Sequence, residues 1–232
     1  MITDPYKIAR RRMVELQLKA RDITDERVLA AMSTLPRHIF VEEALESQAY
    51  GDYPVGIGYG QTISQPYIVA FMSQELQLTG KEKVLEIGTG CGYQTAVLSY
   101  LCKMVYTIER LGELATQAQD RLGFLGITNV VMKVGDGTYG WAQEAPFHAI
   151  LSAAASPDIP EPLFAQLKEG GRLIVPVGSD QSQRLIKVTK LKGKPYTKDL
   201  GACRFVKLVG RHGWQRQKKA GDHFVKRSLI ID

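Results

Sequence analysis

Cysteine is scarce in this sequence: Cys91, Cys102 and Cys203 are the only three in 232 residues. They are too few and too scattered for a disulfide framework or a cysteine-based zinc site. Long apolar runs are missing as well. No stretch approaches the roughly 18 residues that a membrane-spanning helix needs, and the opening M-I-T-D-P-Y-K-I-A-R-R-R lacks the apolar segment of a secretory leader. A reduced, cytoplasmic protein with no membrane partner is therefore expected. Histidine is sparse too. His38, His148, His212 and His223 sit in no motif that needs them, which leaves no candidate His–Cys pair and no candidate metal site. Neither charge sign dominates, since 30 Lys and Arg against 24 Asp and Glu leave a formal +6. The densest basic groups, Arg10-Arg11-Arg12 and the tail from Arg211 to Arg227, read as solvated faces, so the charge permits a nucleic-acid partner without pointing to one. No repeat, low-complexity segment or Pro/Gly linker divides the chain.

What is present is enough apolar content, 44%, for one α/β core with an appended element. The stretch Val84 to Thr95, V-L-E-I-G-T-G-C-G-Y-Q-T, runs from an apolar strand through glycines at alternate positions, Gly88, Gly90 and Gly92, into a helix start. Glycine suits such a turn because unusual backbone angles are open to it and a ligand can approach the main chain closely. The helix beyond offers unpaired N–H groups. A second strand, Met104 to Glu109, ends on a carboxylate about twenty residues later, where α/β nucleotide-binding units place a ribose acceptor. A third, Val130 to Val134, runs into Gly135-Asp136-Gly137. Three strands thus end at acids on the edge where open parallel sheets bind ligands.

This constellation resembles the class I S-adenosylmethionine-dependent methyltransferases. The resemblance implies an α/β fold, a Rossmann-like, doubly wound, mostly parallel sheet with an N-terminal helical cap and an antiparallel C-terminal edge strand. It also implies that Glu86 and the glycines line the methionine and ribose part of the cofactor, that Glu109 holds the ribose and that Asp136 reaches the adenine.

The remaining elements follow from pattern. Residues 5 to 20 read as an amphipathic helix, Thr24 as the N-cap of a second helix from Asp25 to Ser33, and Val41 to Ser47 as a third, shorter one. Asp52 to Tyr67 holds three glycines and two prolines and reads as a long loop before a helix over Tyr67 to Leu78. Such a loop is more often functional than connective, and Ser64 near the helix start is either a cap or part of an anion receptor. His148 to Ala153 reads as a fourth strand. A helix over Glu161 to Lys168 is expected to end at Gly170-Gly171, with a fifth strand at Arg172 to Val177. Arg184 to Lys192 and Cys203 to Val209 alternate as strands around a turn near Gly193-Lys194-Pro195.

The stretches G-Y-G-Q-T-I-S-Q-P-Y, V-L-E-I-G-T-G-C-G-Y-Q-T, G-D-G, I-P-E-P-L-F-A-Q-L-K-E-G-G-R-L-I-V-P-V-G and R-F-V-K-L-V-G-R-H-G-W together narrow the likeness. From about residue 8 to Trp214 the chain resembles the protein-L-isoaspartate (D-aspartate) O-methyltransferases, a protein-repair family. The resemblance implies one domain over 1–232, with N-terminal helices and substrate loop to 80, a cofactor core over 81–178, C-terminal strands over 179–214 and a tail over 215–232. It implies transfer of a methyl group from S-adenosyl-L-methionine, leaving S-adenosyl-L-homocysteine, to the free α-carboxylate of isoaspartyl residues in proteins and peptides, by a monomer. Ser64 maps onto the family's active-site hydroxyl. The implied cofactor set is Thr62, Ile63, Gln65, Glu86, Gly88, Gly90, Glu109, Arg110, Asp136 and Gly137. The chemistry agrees, because a carboxylate nucleophile with a pKa of about 4 needs no general base at neutral pH. His148 and Ser152 stand where the family more often has Asp and Thr, at positions outside the expected site; Lys207 stands where the family usually has Pro, and that change is expected to alter peptide preference. A methyltransferase for RNA or a small molecule, and a non-catalytic cofactor-binding protein, are the alternatives. The first lacks its expected signature in strand four, and Ser64 beside the three acids argues against the second.

Overall fold

The computed structural model describes residues 5–215; the tail from 216 onward lies outside them. A seven-stranded sheet in the order β5-β4-β3-β6-β7-β8-β9 forms the centre. Its parallel part is β3 (Lys83–Ile87), β4 (Met104–Glu109), β5 (Val130–Val134), β6 (Phe147–Ser152) and β7 (Leu167–Gly178). β8 (Gln183–Leu191) and β9 (Lys194–Cys203) add antiparallel pairs, with β9 at the edge. β3 starts the parallel unit and pairs with β4 on one side and β6 on the other. The chain therefore reverses its direction of winding at β3, which opens a crevice at the carboxyl ends of these strands.

Both faces of β3 are buried, as expected of a central parallel strand. Val84 packs with Ala149, Leu151 and Ile174 under the helices on one face. Leu85 and Ile87 pack with Phe147, Ile150 and Leu173 on the other. The first face carries α4 (Tyr93–Leu101), α3 (Pro66–Glu75), α2 (Glu26–Thr34) and α1 (Lys7–Arg12), which continues as a wider π-helical turn to Lys19. α5 (Gly112–Phe124) and the short α6 (Glu161–Ala165) complete the layers. A hairpin of β1 (Val55–Gly56) and β2 (Thr62–Ile63) stands apart from the sheet.

Four expectations change in detail. The N-cap of α2 is Asp25, whose carboxylate accepts from the N–H groups of Arg27 and Val28, while the Thr24 N–H donates to Gln74. The third helix resolves into two 3-10 turns, Arg37–Phe40 and Glu43–Gln48. α6 stops at Ala165 because Leu167 already pairs with Phe147, so Gly170 and Gly171 lie inside β7 rather than capping a helix. The edge strand is Lys194–Cys203, and the run after it leaves the sheet. That run is bridged in parallel to the core at Ala155 and Lys207, and a second bridge, Val209 to Trp214, lies within the run itself.

Candidate active site

The crevice at the ends of β3 and β4 is a cleft open to solvent, lined by backbone, polar and apolar groups. Three segments wall it: the glycine turn after β3, the hydroxyl loop before α3, and a strap, Phe205 to Val209, across the top.

The turn is shaped by backbone conformation. Gly88 and Gly92 have φ of +90° and +92°, values that side-chain-bearing residues rarely adopt. At Gly92 a Cβ would also approach Ala118 to 3.2 Å. Glu109, at the end of β4, locks the turn from the side. Its carboxylate accepts from the N–H groups of Gly90 (2.9 Å), Arg110 (2.8 Å) and Leu111 (2.9 Å). Gly88, Gly90, Glu109, Arg110 and Gly137 all line the cleft.

Glu86 sits differently from the expectation. It is fully buried behind the turn and does not line the cleft, because it shares the face of Val84 and points toward α4. Oε2 accepts from Thr95 on α4 (2.5 Å) and Thr107 on β4 (2.7 Å), while Oε1 is buried with no hydrogen-bond partner. The Thr107 and Thr89 hydroxyls lie 2.6 Å apart, so Glu86 communicates with the cleft-lining Thr89 through one hydroxyl. Burial raises its carboxyl to about 7, against the lowering effect of the two threonine hydrogen bonds, with nearby Glu109 adding to the rise.

Asp136 is also engaged elsewhere. It accepts from the Thr138 N–H (2.9 Å), the Thr138 hydroxyl (2.6 Å) and the Arg211 N–H (2.9 Å). It borders a shallow recess with Arg110 and Val209 beside the main cleft. Partial burial would raise its carboxyl, but these hydrogen bonds outweigh it and hold the group below the usual range. Its carboxylate thereby fastens the far end of the strap.

On the loop, Thr62, Ile63 and Ser64 line the cleft and Gln65 does not. Gln65 is the N-cap of α3, without a side-chain cap bond, so Ser64 is not a helix cap. Among the described residues the Ser64 hydroxyl has no hydrogen-bond partner. Apolar Val69 and Met72 of α3 stand beside it. The strap, read from the sequence as part of a strand over Cys203 to Val209, is a wall of the cleft. Gln183 holds Phe205 at both backbone N–H (2.7 Å) and C=O (3.2 Å). The Ala155 N–H donates to the Val206 carbonyl, and the Ala155 carbonyl accepts from the Leu208 N–H and the Trp214 indole N–H. None of the described histidines lines the cleft, and among the described residues no group of three or more His, Cys, Asp or Glu is placed to hold a metal ion.

Comparison with known proteins places this geometry. The sequence model of the Protein-L-isoaspartate(D-aspartate) O-methyltransferase (PCMT) family matches residues 9–213. The chain belongs to this family. It is 58% identical over 208 residues to Protein-L-isoaspartate O-methyltransferase 2 of Geotalea uraniireducens (strain Rf4), covering 89% of this chain and 96% of that one. It is 55% identical over 214 residues to Protein-L-isoaspartate O-methyltransferase of Syntrophus aciditrophicus (strain SB), covering 91% and 98%. A solved protein-L-isoaspartate O-methyltransferase superposes with a TM-score of 0.81 at 29% identity, covering 88% of this chain and 67% of that one. A putative enzyme of the same kind from Plasmodium falciparum, in complex with S-adenosyl-L-homocysteine, gives 0.75 at 27% identity, covering 85% and 96%. As a member of the protein-L-isoaspartate O-methyltransferases, the chain is an S-adenosylmethionine-dependent protein-repair enzyme. The strap, the glycine turn and the hydroxyl loop all fall within the matched residues.

Proposed function

We propose that this cleft aligns the free α-carboxylate of an isoaspartyl (or D-aspartyl) residue with Ser64 as the orienting hydroxyl, and that Glu109, Arg110 and the glycine turn hold the cofactor, with Glu86 bracing that turn from behind. One observation carries the reading: Ser64 faces the cleft opposite the turn with its hydroxyl free of any hydrogen bond among the described residues. An unengaged hydroxyl of this kind is available to a ligand in a way that a cap is not.

The residues fit S-adenosylmethionine. Glu109 lines the cleft and spends three of its acceptor positions on backbone N–H groups, which leaves lone-pair capacity for hydroxyl donors. When bound, the cofactor supplies an electrophilic methyl on a sulfonium. The protein's own task is alignment. A carboxylate is already ionised at neutral pH, so no side chain has to remove a proton, and the rate comes from holding an oxygen in line and keeping water out. Ser64 donates to the carboxylate. Val69, Met72 and Phe205 supply apolar wall. The Lys207 N–H has no hydrogen-bond acceptor among the described residues and points away from Ala155, where it can meet an extended peptide.

The same reading takes the chain as a cytoplasmic monomer. Its three cysteines are free, and no helix among the described residues is long and apolar enough to cross a membrane. Elution at the mass of one 25.8 kDa chain checks the oligomeric state. The activity is tested with labelled methyl donor and two peptides that differ only in an isoaspartyl or a normal aspartyl linkage. Label on the isoaspartyl peptide alone is expected; label on both or on neither defeats the reading.

A further inference from the structure

Arg37 is the largest fully buried side chain among the described residues, with 0% exposure, and no carboxylate there pairs with it. Its Nε donates to the Ala49 carbonyl at 2.5 Å and its Nη2 to the Ser64 carbonyl at 2.7 Å. The guanidinium lies over the ring of Tyr93, 4.6 Å from its centroid. Tyr93 opens α4 directly after the glycine turn and lines the cleft. Nη1 is buried with no hydrogen-bond partner, as is the Tyr93 hydroxyl. One side chain from the helical cap thus ties together a cap turn, the hydroxyl loop and the start of the cofactor helix.

This placement is unfavourable for stability taken alone. Burying a charge without a counter-charge costs several kcal/mol after relaxation, and carbonyls with one aromatic face offset only part of that. Features that break a local rule in this way concentrate at functional sites. The function on offer is geometric. A carbonyl held at 2.7 Å fixes the Ser64–Gln65 peptide plane, and with it the direction of the Ser64 Cα–Cβ bond. The hydroxyl has no hydrogen bond of its own to set that direction.

We propose that Arg37 is a positioning residue for the methyl transfer, holding the Ser64 carbonyl so that the Ser64 hydroxyl meets the substrate carboxylate in the productive orientation. The inference rests on the assignment of Ser64 as the orienting hydroxyl. Arginine is required because its planar fork reaches two carbonyls at once while its cation sits over a ring; a lysine ammonium is a single point charge without that fixed fork.

The test uses the full chain with Arg37→Lys, Arg37→Gln, Ser64→Ala and the double variant Arg37→Lys/Ser64→Ala. Arg37→Gln serves if the lysine variant does not fold, because it removes the uncompensated charge and still donates to one carbonyl. Thermal midpoint, S-adenosyl-L-homocysteine affinity by calorimetry, and kcat and KM on an isoaspartyl peptide are measured for each. Homocysteine-cofactor affinity is expected to stay within about twofold of the parent while kcat falls about tenfold. The losses are expected not to compound, the double variant turning over within about threefold of Ser64→Ala alone. Parental kcat and KM in both Arg37 variants, with Ser64→Ala slow, overturns the role of Arg37 and leaves that of Ser64 standing. Losses that multiply in the double variant overturn it as well, because Arg37 then acts on something other than Ser64. A fall in cofactor affinity that matches the fall in kcat also refutes it, as a general collapse of the cleft. Parental turnover in Ser64→Ala removes the Ser64 assignment itself and the inference with it.

Discussion

The two walls of the cleft are built on opposite plans. On the cofactor wall, the turn between β3 and α4 is clamped from every side: Glu109 takes three backbone N–H groups, and Glu86 takes two hydroxyls from behind. On the substrate wall, the hairpin of β1 and β2 has strands of two residues each, and Gly58, Tyr59 and Gly60 at its tip all have positive φ. Val55, Ile57 and Ile63 anchor it in the core, and its polar ties are sparse. Tyr67 N–H reaches Asp52 at 3.3 Å, Arg21 pairs with the same carboxylate at 3.0 Å, and Arg37 holds the Ser64 carbonyl. A small invariant ligand is met by a preorganised receptor with its polar groups already aimed. A substrate that is any damaged protein is met by one hydroxyl, free backbone and a tip that can adjust. Affinity for the cofactor and turnover of the substrate should therefore respond to different residues.

The largest effect expected on the cofactor wall is a dependence on pH. Glu86 is raised from an ordinary 4.5 to about 7 in the folded protein. Between those values the folded chain binds more protons than the unfolded one, so this group's contribution to stability is present below pH 4.5, is lost as pH rises through about 7, and stays lost above. The size is about 3 kcal/mol. Glu86→Gln should abolish that slope, making the unliganded protein relatively more stable at pH 8 than at pH 5 by denaturant titration against the parent. Parallel curves for the two proteins would mean that Glu86 is ionised throughout, and the wall less dry than its burial implies.

Glu109→Ala should separate the two walls most directly. It strands three N–H groups and removes an acceptor that faces the cleft, and S-adenosyl-L-homocysteine affinity is expected to fall about a hundredfold. At saturating cofactor, kcat on an isoaspartyl peptide should change far less. Equal losses in both would show that the glycine turn also sets the substrate geometry. Ser64→Ala is the converse, with cofactor affinity unchanged and kcat lowered about tenfold for the loss of one orienting hydrogen bond. A parental rate at saturating peptide would take Ser64 out of the mechanism.

How far these walls were legible in the sequence follows their physical basis. The cofactor wall was readable because its strands are continuous apolar runs and its turn needs glycine, both local signals. Glu86 was expected to line the cofactor site and does not: in V-L-E-I it shares the buried face of Val84, and only pairing with Thr107 and Thr95 decides what it touches. The edge strand was misplaced because Lys194–Cys203 is exposed and polar, with a proline, and so shows no alternation. Arg-Phe-Val-Lys-Leu-Val is apolar enough to read as a strand, yet it is held by Gln183 and Ala155 as a strap. Arg37 carried no signal, since its burial depends on carbonyls 12 and 27 residues away.

The smallest effect tests the strap, where the two walls meet. Lys207 lies between Val206 and Leu208, whose backbone groups both bond Ala155, and its own N–H is unengaged among the described residues. A proline there removes no existing hydrogen bond. Its ammonium pairs with Asp180 at 2.6 Å and lies over the Trp214 ring at 4.8 Å, with the pair largely exposed, so its loss costs at most about 1 kcal/mol of stability. What changes is charge beside the peptide path. Lys207→Pro bares Asp180, and KM should rise about threefold for an isoaspartyl peptide with acidic neighbours and fall for one with basic neighbours, the difference disappearing in about 1 M salt. kcat should hold, because the strap's bonds to Ala155 remain. If instead KM rises equally for both peptides and salt has no influence, the lysine contributes its backbone donor rather than its charge, and the substrate wall recognises main chain alone.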